Sequence, residues 1–232
     1  MNIKILHMIE GAKAARGITV VIDVFRAFSV EAYFLANGAE KIIPVGDASL
    51  AYKLKEENPE MILAGERHGR ILPGFDVGNS PSELMKLDAK GKTVVHTTSA
   101  GTQGIANAVN ANEVLGGSLV NAKATAEYIR RSGAEEVSLV CMGLEALSET
   151  EEDNLCAYYI KSLLEGSEID MAEEVEKLKY TSGAKFFDKA QNDVFPEADF
   201  GMCTQVDKFD FVMKLRKGED GLSFMEKYSF EE

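Results

Sequence analysis

Residues 18–28 read ITVVIDVFRAF. From Ile18 to Val24 the run is β-branched almost throughout, as in a strand covered on both faces. Ala27 to Asn37 then carries helical spacing, and Gly38 suits the position just past a helix end. A doubly buried strand running into a helix is the unit of a parallel sheet with helices on its faces.

The rhythm continues outward from that unit. Lys41–Val45 is a second strand, and Asp47 can N-cap a helix to about Glu57. Met61–Ala64 is a third strand, and Ser80-Pro81 reads as a helix start with proline in its first turn. Thr93–Thr97 is a fourth strand and Gly104–Ala111 an alanine-rich helix. Glu113–Leu115 reads as an edge strand, Asn121–Ser132 as a helix closed by Gly133, and Val137–Met142 as the last strong buried strand. The class is α/β: a three-layer α/β/α sandwich with a largely parallel, or mixed, sheet. The C-terminal third reads as a helical addition. Glu149–Glu165 is amphipathic, Met171–Tyr180 and Ser182–Asn192 are helical, Asp193–Thr204 is irregular, and Phe209–Leu215 is strand or helix. Without a linker, repeat or low-complexity tract, one domain over 1–232 is expected, less regular from about residue 149.

Composition narrows the function. The 232 residues carry a net charge of −13, which argues against nucleic acid or an anionic membrane as main partner. A small anionic ligand remains open, because a local arginine cluster can bind one inside an acidic protein. No stretch approaches the roughly 20 apolar residues of a membrane span, and the N-terminal segment lacks a signal-peptide pattern. A cytoplasmic protein is expected, and homo-oligomerisation is left open. Cys141, Cys156 and Cys203 are odd in number and widely spaced, so they read as buried free thiols.

In open α/β sheets, ligands bind beyond the carboxyl ends of the strands. Four polar clusters stand there, expected on one rim. Asp23 can hold Mg2+ or take a proton, and Arg26 can grip a phosphate or sulfonate through two N–H groups; alternatively the two form an internal ion pair. Glu66 and Arg67 repeat the theme, followed by His68 and Arg70. In Gly74 to Pro81, Asp76, Asn79 and Ser80 lie beside a helix N-terminus. In HTTSAGTQG, Thr97, Thr98, Ser99 and Thr102 can donate to phosphate oxygens with the backbone at Gly101, or simply cap a helix. Among Glu149, Glu151, Glu152 and Asp153, one or two carboxylates suffice for a metal, since Mg2+ is commonly bound through one or two carboxylates with water and phosphate oxygens; helix-dipole stabilisation is the alternative. Carboxylates, arginines and hydroxyl turns together suit phosphoryl transfer.

DVFRA, AGERHGRILPGFDVGNSP, TTSAGT and the later Glu152-Asp153 resemble the motifs of the 2-phosphosulfolactate phosphatase family, with the likeness running from Ile18 to about Leu215. The resemblance implies a Mg2+-dependent enzyme that converts 2-phosphosulfolactate to sulfolactate and phosphate in coenzyme M biosynthesis. It implies site residues Asp23, Arg26, Glu66, Arg67, Asp76, Asn79, Ser80, Thr97, Thr98, Gly101 and Thr102, with Asp23, Glu66 and Asp153 on the metal. Arg26 and Arg67 would bind the phosphate and sulfonate. Two positions depart from the family pattern: Phe28 and Ala100 stand where polar residues are common. Water is the simplest nucleophile. An aspartyl-phosphate on Asp23 is the alternative, although Phe25 replaces the second aspartate of a D-x-D pattern. The competing functions are a phosphatase for another small phosphorylated acid and a non-catalytic sensor of an anionic metabolite.

Overall fold

A computed structural model describes residues 1–230; Glu231 and Glu232, the end of the expected 1–232 domain, lie outside the described residues. The elements are β1 (Asn2–His7), α1 (Met8–Ala14), β2 (Ile18–Ile22), α2 (Ala27–Ala36), β3 (Lys41–Pro44), α3 (Ala48–Glu57), β4 (Ile62–Arg67), β5 (Arg70–Ile71), α4 (Pro81–Leu84), β6 (Thr93–Thr97), α5 (Gly101–Asn107), β7 (Glu113–Gly117), α6 (Ala122–Ser132), β8 (Glu136–Cys141), α7 (Glu151–Glu165), α8 (Met171–Leu178), α9 (Glu197–Cys203), β9 (Phe211–Lys217) and β10 (Ser223–Ser229). The sheet order is β1-β8-β2-β7-β9-β10-β3-β6-β4-β5. It is an α/β sandwich of three layers around a mixed sheet.

Two parallel blocks make up most of the sheet. β1, β8, β2 and β7 are parallel, and so are β3, β6 and β4. The antiparallel hairpin β9–β10 joins them. Three successive antiparallel steps set the blocks in opposite sense. On a flat sheet their carboxyl ends would therefore lie on opposite edges, not on the single rim expected from chain order. Those ends nevertheless meet, so the sheet coils. The β10–β3 step, paired only at Met225 and Ile42, is where such a turn is least constrained.

One apolar cluster shows what the coil encloses. It joins Val21 and Val140 of the first block, Ile42, Ile62 and Val94 of the second, and Phe28, Val30 and Phe34 of α2. Every residue of α2 from Ala27 to Leu35 is buried, as befits a helix surrounded by protein. On the outer face α6 and α7 cover the first block, and α3 covers the second. Cys141, Cys156 and Cys203 are buried free thiols, whose acidity burial suppresses.

Several elements differ from the sequence expectation for local reasons. α5 starts at Gly101 rather than Gly104. Thr98 and Thr102 brace its first turn, each hydroxyl accepting the other's backbone N–H, at 3.0 and 3.2 Å. β7 is interior rather than an edge, covered by β9; its Gly116 leaves room for Phe28 and Met225. Glu197–Cys203 is helical, whereas Asp193–Thr204 reads as irregular, and Ser182–Asn192 holds two short 3-10 turns. β1, α1 and β10 have no counterpart in the sequence reading. Val137–Met142 is followed by two further strands.

Candidate active site

Asp23 follows directly on β2 and is buried, and its Oδ1 accepts the Ala27 N–H at the start of α2 (3.1 Å). The turn after β6 closes on it. A Cβ at Gly101 would stand 2.9 Å from Asp23 Oδ2 and 2.7 Å from the Ala27 Cβ, so only glycine permits that approach. Glu66, also buried, ties two loops together. It accepts the Gly69 N–H (2.6 Å), the Ser99 N–H (2.7 Å) and the Ser99 hydroxyl (3.3 Å). Asp23, Glu66, Asn79 and Ser99 line one cavity of about 120 Å³. Its wall is completed by Gly143 and Glu145 after β8, and by Phe25, Lys185 and Phe195. The four polar clusters do converge, across the coiled sheet.

The cavity is acidic. Burial pushes Asp23 up to about 6; the Ala27 N–H pulls it back, and the charges of Glu66 and Glu152 add to the rise. Burial also raises Glu152, offset by Lys185, and leaves its Oε2 without a hydrogen-bond partner among the described residues. Glu66 and Glu152 thus bear on Asp23, with the positive charge of Lys185 beside Glu152.

Other expected residues are placed elsewhere. Asp153 is raised well above the usual range by burial and by Glu152 and Asp23. Its two oxygens accept the Val24 and Gly143 N–H groups, each at 2.8 Å. It splints the loops after β2 and β8, so Glu152, not Asp153, is the late carboxylate with an oxygen to spare. Consecutive strand residues face opposite ways. Glu66 turns to the cavity, and Arg67 turns away to the Thr97 hydroxyl (2.9 Å) and the Gly46 carbonyl. Asp76 accepts the Leu63 N–H (2.8 Å) and pairs with Lys55 (3.1 Å), outside the cavity. The hydroxyls of Thr98 and Thr102 serve the start of α5, as above. Ser80 caps α4 and donates to Asp199 (2.9 Å).

Arg26 does reach the cavity, but its charge is taken. It pairs with Asp199 at 2.8 Å, both fully or nearly fully buried, and donates to the Val194 carbonyl (2.9 Å). The expected alternative of an internal ion pair is thus realised with Asp199, not with Asp23. Phe195 stacks on the guanidinium, 4.9 Å from its ring centroid. Asn79 is steadied from behind: His96 bridges Glu31 Oε1 (2.8 Å) and Asn79 Oδ1 (3.3 Å), with Glu31 and His96 fully buried. Sequence reasoning missed Asp199, Lys185, Glu31 and His96 as site components. Only the aromatic interleaving of 184–187 and the buried-strand position of His96 carried any signal. Of the two departures, Phe28 packs in the core and Ala100 lies in the cavity wall.

Residues 4–218 match the family model described as 2-phosphosulpholactate phosphatase. The chain belongs to the 2-phosphosulfolactate phosphatase family. Three relatives named probable 2-phosphosulfolactate phosphatase illustrate the range. The protein from Bacillus subtilis strain 168 is 32% identical, covering 88% of this chain and 89% of the relative. That from Caldicellulosiruptor saccharolyticus is 37% identical, covering 85% and 88%. That from Carboxydothermus hydrogenoformans is 38% identical, covering 75% and 72%. A member of the 2-phosphosulfolactate phosphatase family is a phosphoric monoester hydrolase, whose substrate is a small phosphorylated compound. Among the described residues no helix is long and apolar enough to cross a membrane.

Proposed function

We propose that the protein hydrolyses 2-phosphosulfolactate to sulfolactate and phosphate with Mg2+ as cofactor, in the cytoplasm, as a step of coenzyme M biosynthesis. The observation that carries the reading is the crowding of Asp23, Glu66 and Glu152. A buried Asp23 whose proton affinity is raised by burial and by the charges of Glu66 and Glu152 fits a hard cation with oxygen ligands. Among the described residues, no three His, Cys, Asp or Glu form a ready-made ligand group, so water and phosphate oxygens would have to complete the coordination. Asp23 and Glu66 would hold it, with Glu152 behind them. When bound, Mg2+ supplies charge neutralisation to the phosphoryl oxygens.

The chain's own residues do the rest. Ser99, fixed by Glu66, and Asn79, fixed by His96, orient the ester oxygens. Arg26 secures the loop after β2 to the C-terminal segment rather than meeting the phosphate as a free charge. Hydrolysis forms a P–O bond from water and breaks the P–O bond to the sulfolactate oxygen, which takes a proton. The test is phosphate release from 2-phosphosulfolactate with Mg2+ and with a chelator, for wild type and Glu66→Gln. Expected is metal-dependent release that falls about 100-fold or more in the variant. Release from other small phosphorylated acids but not from this one overturns the substrate assignment. Release undiminished by the chelator overturns the cofactor.

A further inference from the structure

Three basic side chains reach the cavity wall among the described residues: Arg26, His68 and Lys185. Two are already engaged. Arg26 is paired with buried Asp199 (2.8 Å), and His68 Nδ1 with Glu145 Oε1 (2.7 Å). Lys185 is different. No ion pair or hydrogen bond engages its Nζ among the described residues, and it sits over three rings. Its distances to the ring centroids of Phe25, Phe186 and Phe195 are 5.7, 5.6 and 5.2 Å. Aromatic faces hold an ammonium in place without neutralising it or occupying its N–H donors. The cavity therefore has two unlike walls. The Asp23–Glu66 wall repels a bare anion and calls for a metal. The aromatic wall offers one ammonium whose N–H donors are free and whose charge also bears on buried Glu152.

We infer that Lys185 binds the sulfonate of the substrate, so that the enzyme favours phosphorylated acids bearing a second strong anion. The inference rests on the proposed substrate. The phosphoryl group belongs with the carboxylate wall and its cation, which leaves Lys185 for the anion at the other end of a small molecule. A charge-assisted hydrogen bond to Nζ, backed by apolar rings that shed water readily, suits a weakly hydrated sulfonate.

The experiment uses the Mg2+-loaded protein, Lys185→Met and Lys185→Arg, and two substrates. One is 2-phosphosulfolactate. The other is 2-phospholactate, which keeps the phosphate and carboxylate and lacks the sulfonate. Binding of sulfolactate is followed by calorimetry. Expected for Lys185→Met is a KM for 2-phosphosulfolactate raised roughly 10- to 100-fold, with kcat little changed. The constants for 2-phospholactate should move far less, sulfolactate binding should weaken in parallel, and Lys185→Arg should restore most of the loss. Equal losses on both substrates overturn the inference, because Lys185 then serves a shared group or the fold. Unchanged constants overturn it too. If wild type binds sulfolactate through Lys185 but does not hydrolyse 2-phosphosulfolactate, the assigned reaction falls and the sulfonate site stands. If it does neither, both fall.

Discussion

Asp23, Glu66 and Ser99 stand at strand ends, and backbone N–H groups from neighbouring turns hold the two carboxylates. Lys185, Phe195 and Asp199, across the cavity, come from the segment after α8. An ion pair that spans 173 residues of chain, the Arg26 bond to the Val194 carbonyl, the Ser80 and Ser82 bonds to Asp199 and a group of facing rings hold them. The strand side is thus set by the fold itself. The aromatic side depends on fewer contacts, so on the proposed reading the phosphoryl chemistry belongs on the first and substrate preference on the second.

Asp199→Ala is the strongest way to break that contrast. It strands the Arg26 guanidinium in the interior and removes the acceptor for Ser80 and Ser82, whose bonds to it are each 2.9 Å. Loss of about 3–5 kcal/mol is expected in urea unfolding, as for other buried ion pairs deprived of one partner. A loss under about 1 kcal/mol would mean that ring packing, not the pair, holds the aromatic side.

Asp23→Asn sharpens the other half through pH. The folded protein raises Asp23 from 3.8 to about 6, so folding favours the protonated acid. Its stabilising share is complete below pH 3.8 and is lost as pH rises through about 6. In metal-free protein, the stability of Asp23→Asn relative to wild type should therefore rise between pH 4 and 7, by at most about 3 kcal/mol. Mg2+ should reduce the difference by favouring the charged carboxylate, while the variant loses activity. Chemical denaturation across pH, with and without metal, checks both. A flat difference would mean that Asp23 is not held in a desolvated acidic cluster.

A smaller effect is expected at the threonine turn. Thr102→Val removes the reciprocal bond with Thr98 and should cost about 1–2 kcal/mol of stability. With its hydroxyl turned to the helix start, KM should hardly move; a large KM rise would return that hydroxyl to the substrate. His68→Gln is the mildest. The imidazole is 82% exposed, so its bond to Glu145 should contribute under about 0.5 kcal/mol, and kcat should stay within about twofold of wild type.

The strand side was legible because its signals are local. A β-branched run ending in Asp23, or an apolar run ending in Glu66, shows strand and carboxylate in one glance. Even there the strand's alternation was needed to separate Glu66 from Arg67, and the motif alone reads them as equals. The hydroxyls of Thr98 and Thr102 stayed open between two readings because a phosphate cradle and a helix brace draw on the same residues at the same spacing. The aromatic side was illegible for another reason. Nothing near Arg26 names Asp199 as its partner, and no periodicity marks Lys185 as facing a cavity. Those facts exist only after the chain has returned on itself. β10 was missed for the same cause: its pairing with β3 and β9 is tertiary, and its sequence, with Glu226 and Lys227, is not apolar enough to announce a strand.

The β9–β10 hairpin has a bearing on how the protein is made. Residues 211–229 fill the gap between β7 and β3, yet they follow every other described strand in the chain. While a ribosome is still threading out the middle of the protein, both parallel blocks carry a bare edge where the hairpin will sit. Bare edges invite pairing with other chains. Translation therefore leaves a window in which the half-made sheet is most open to aggregation and most in need of a chaperone. The hairpin ends that window by covering both edges at once, and the cavity lined by Asp23 and Glu66, which needs both blocks in register, takes its final shape only then.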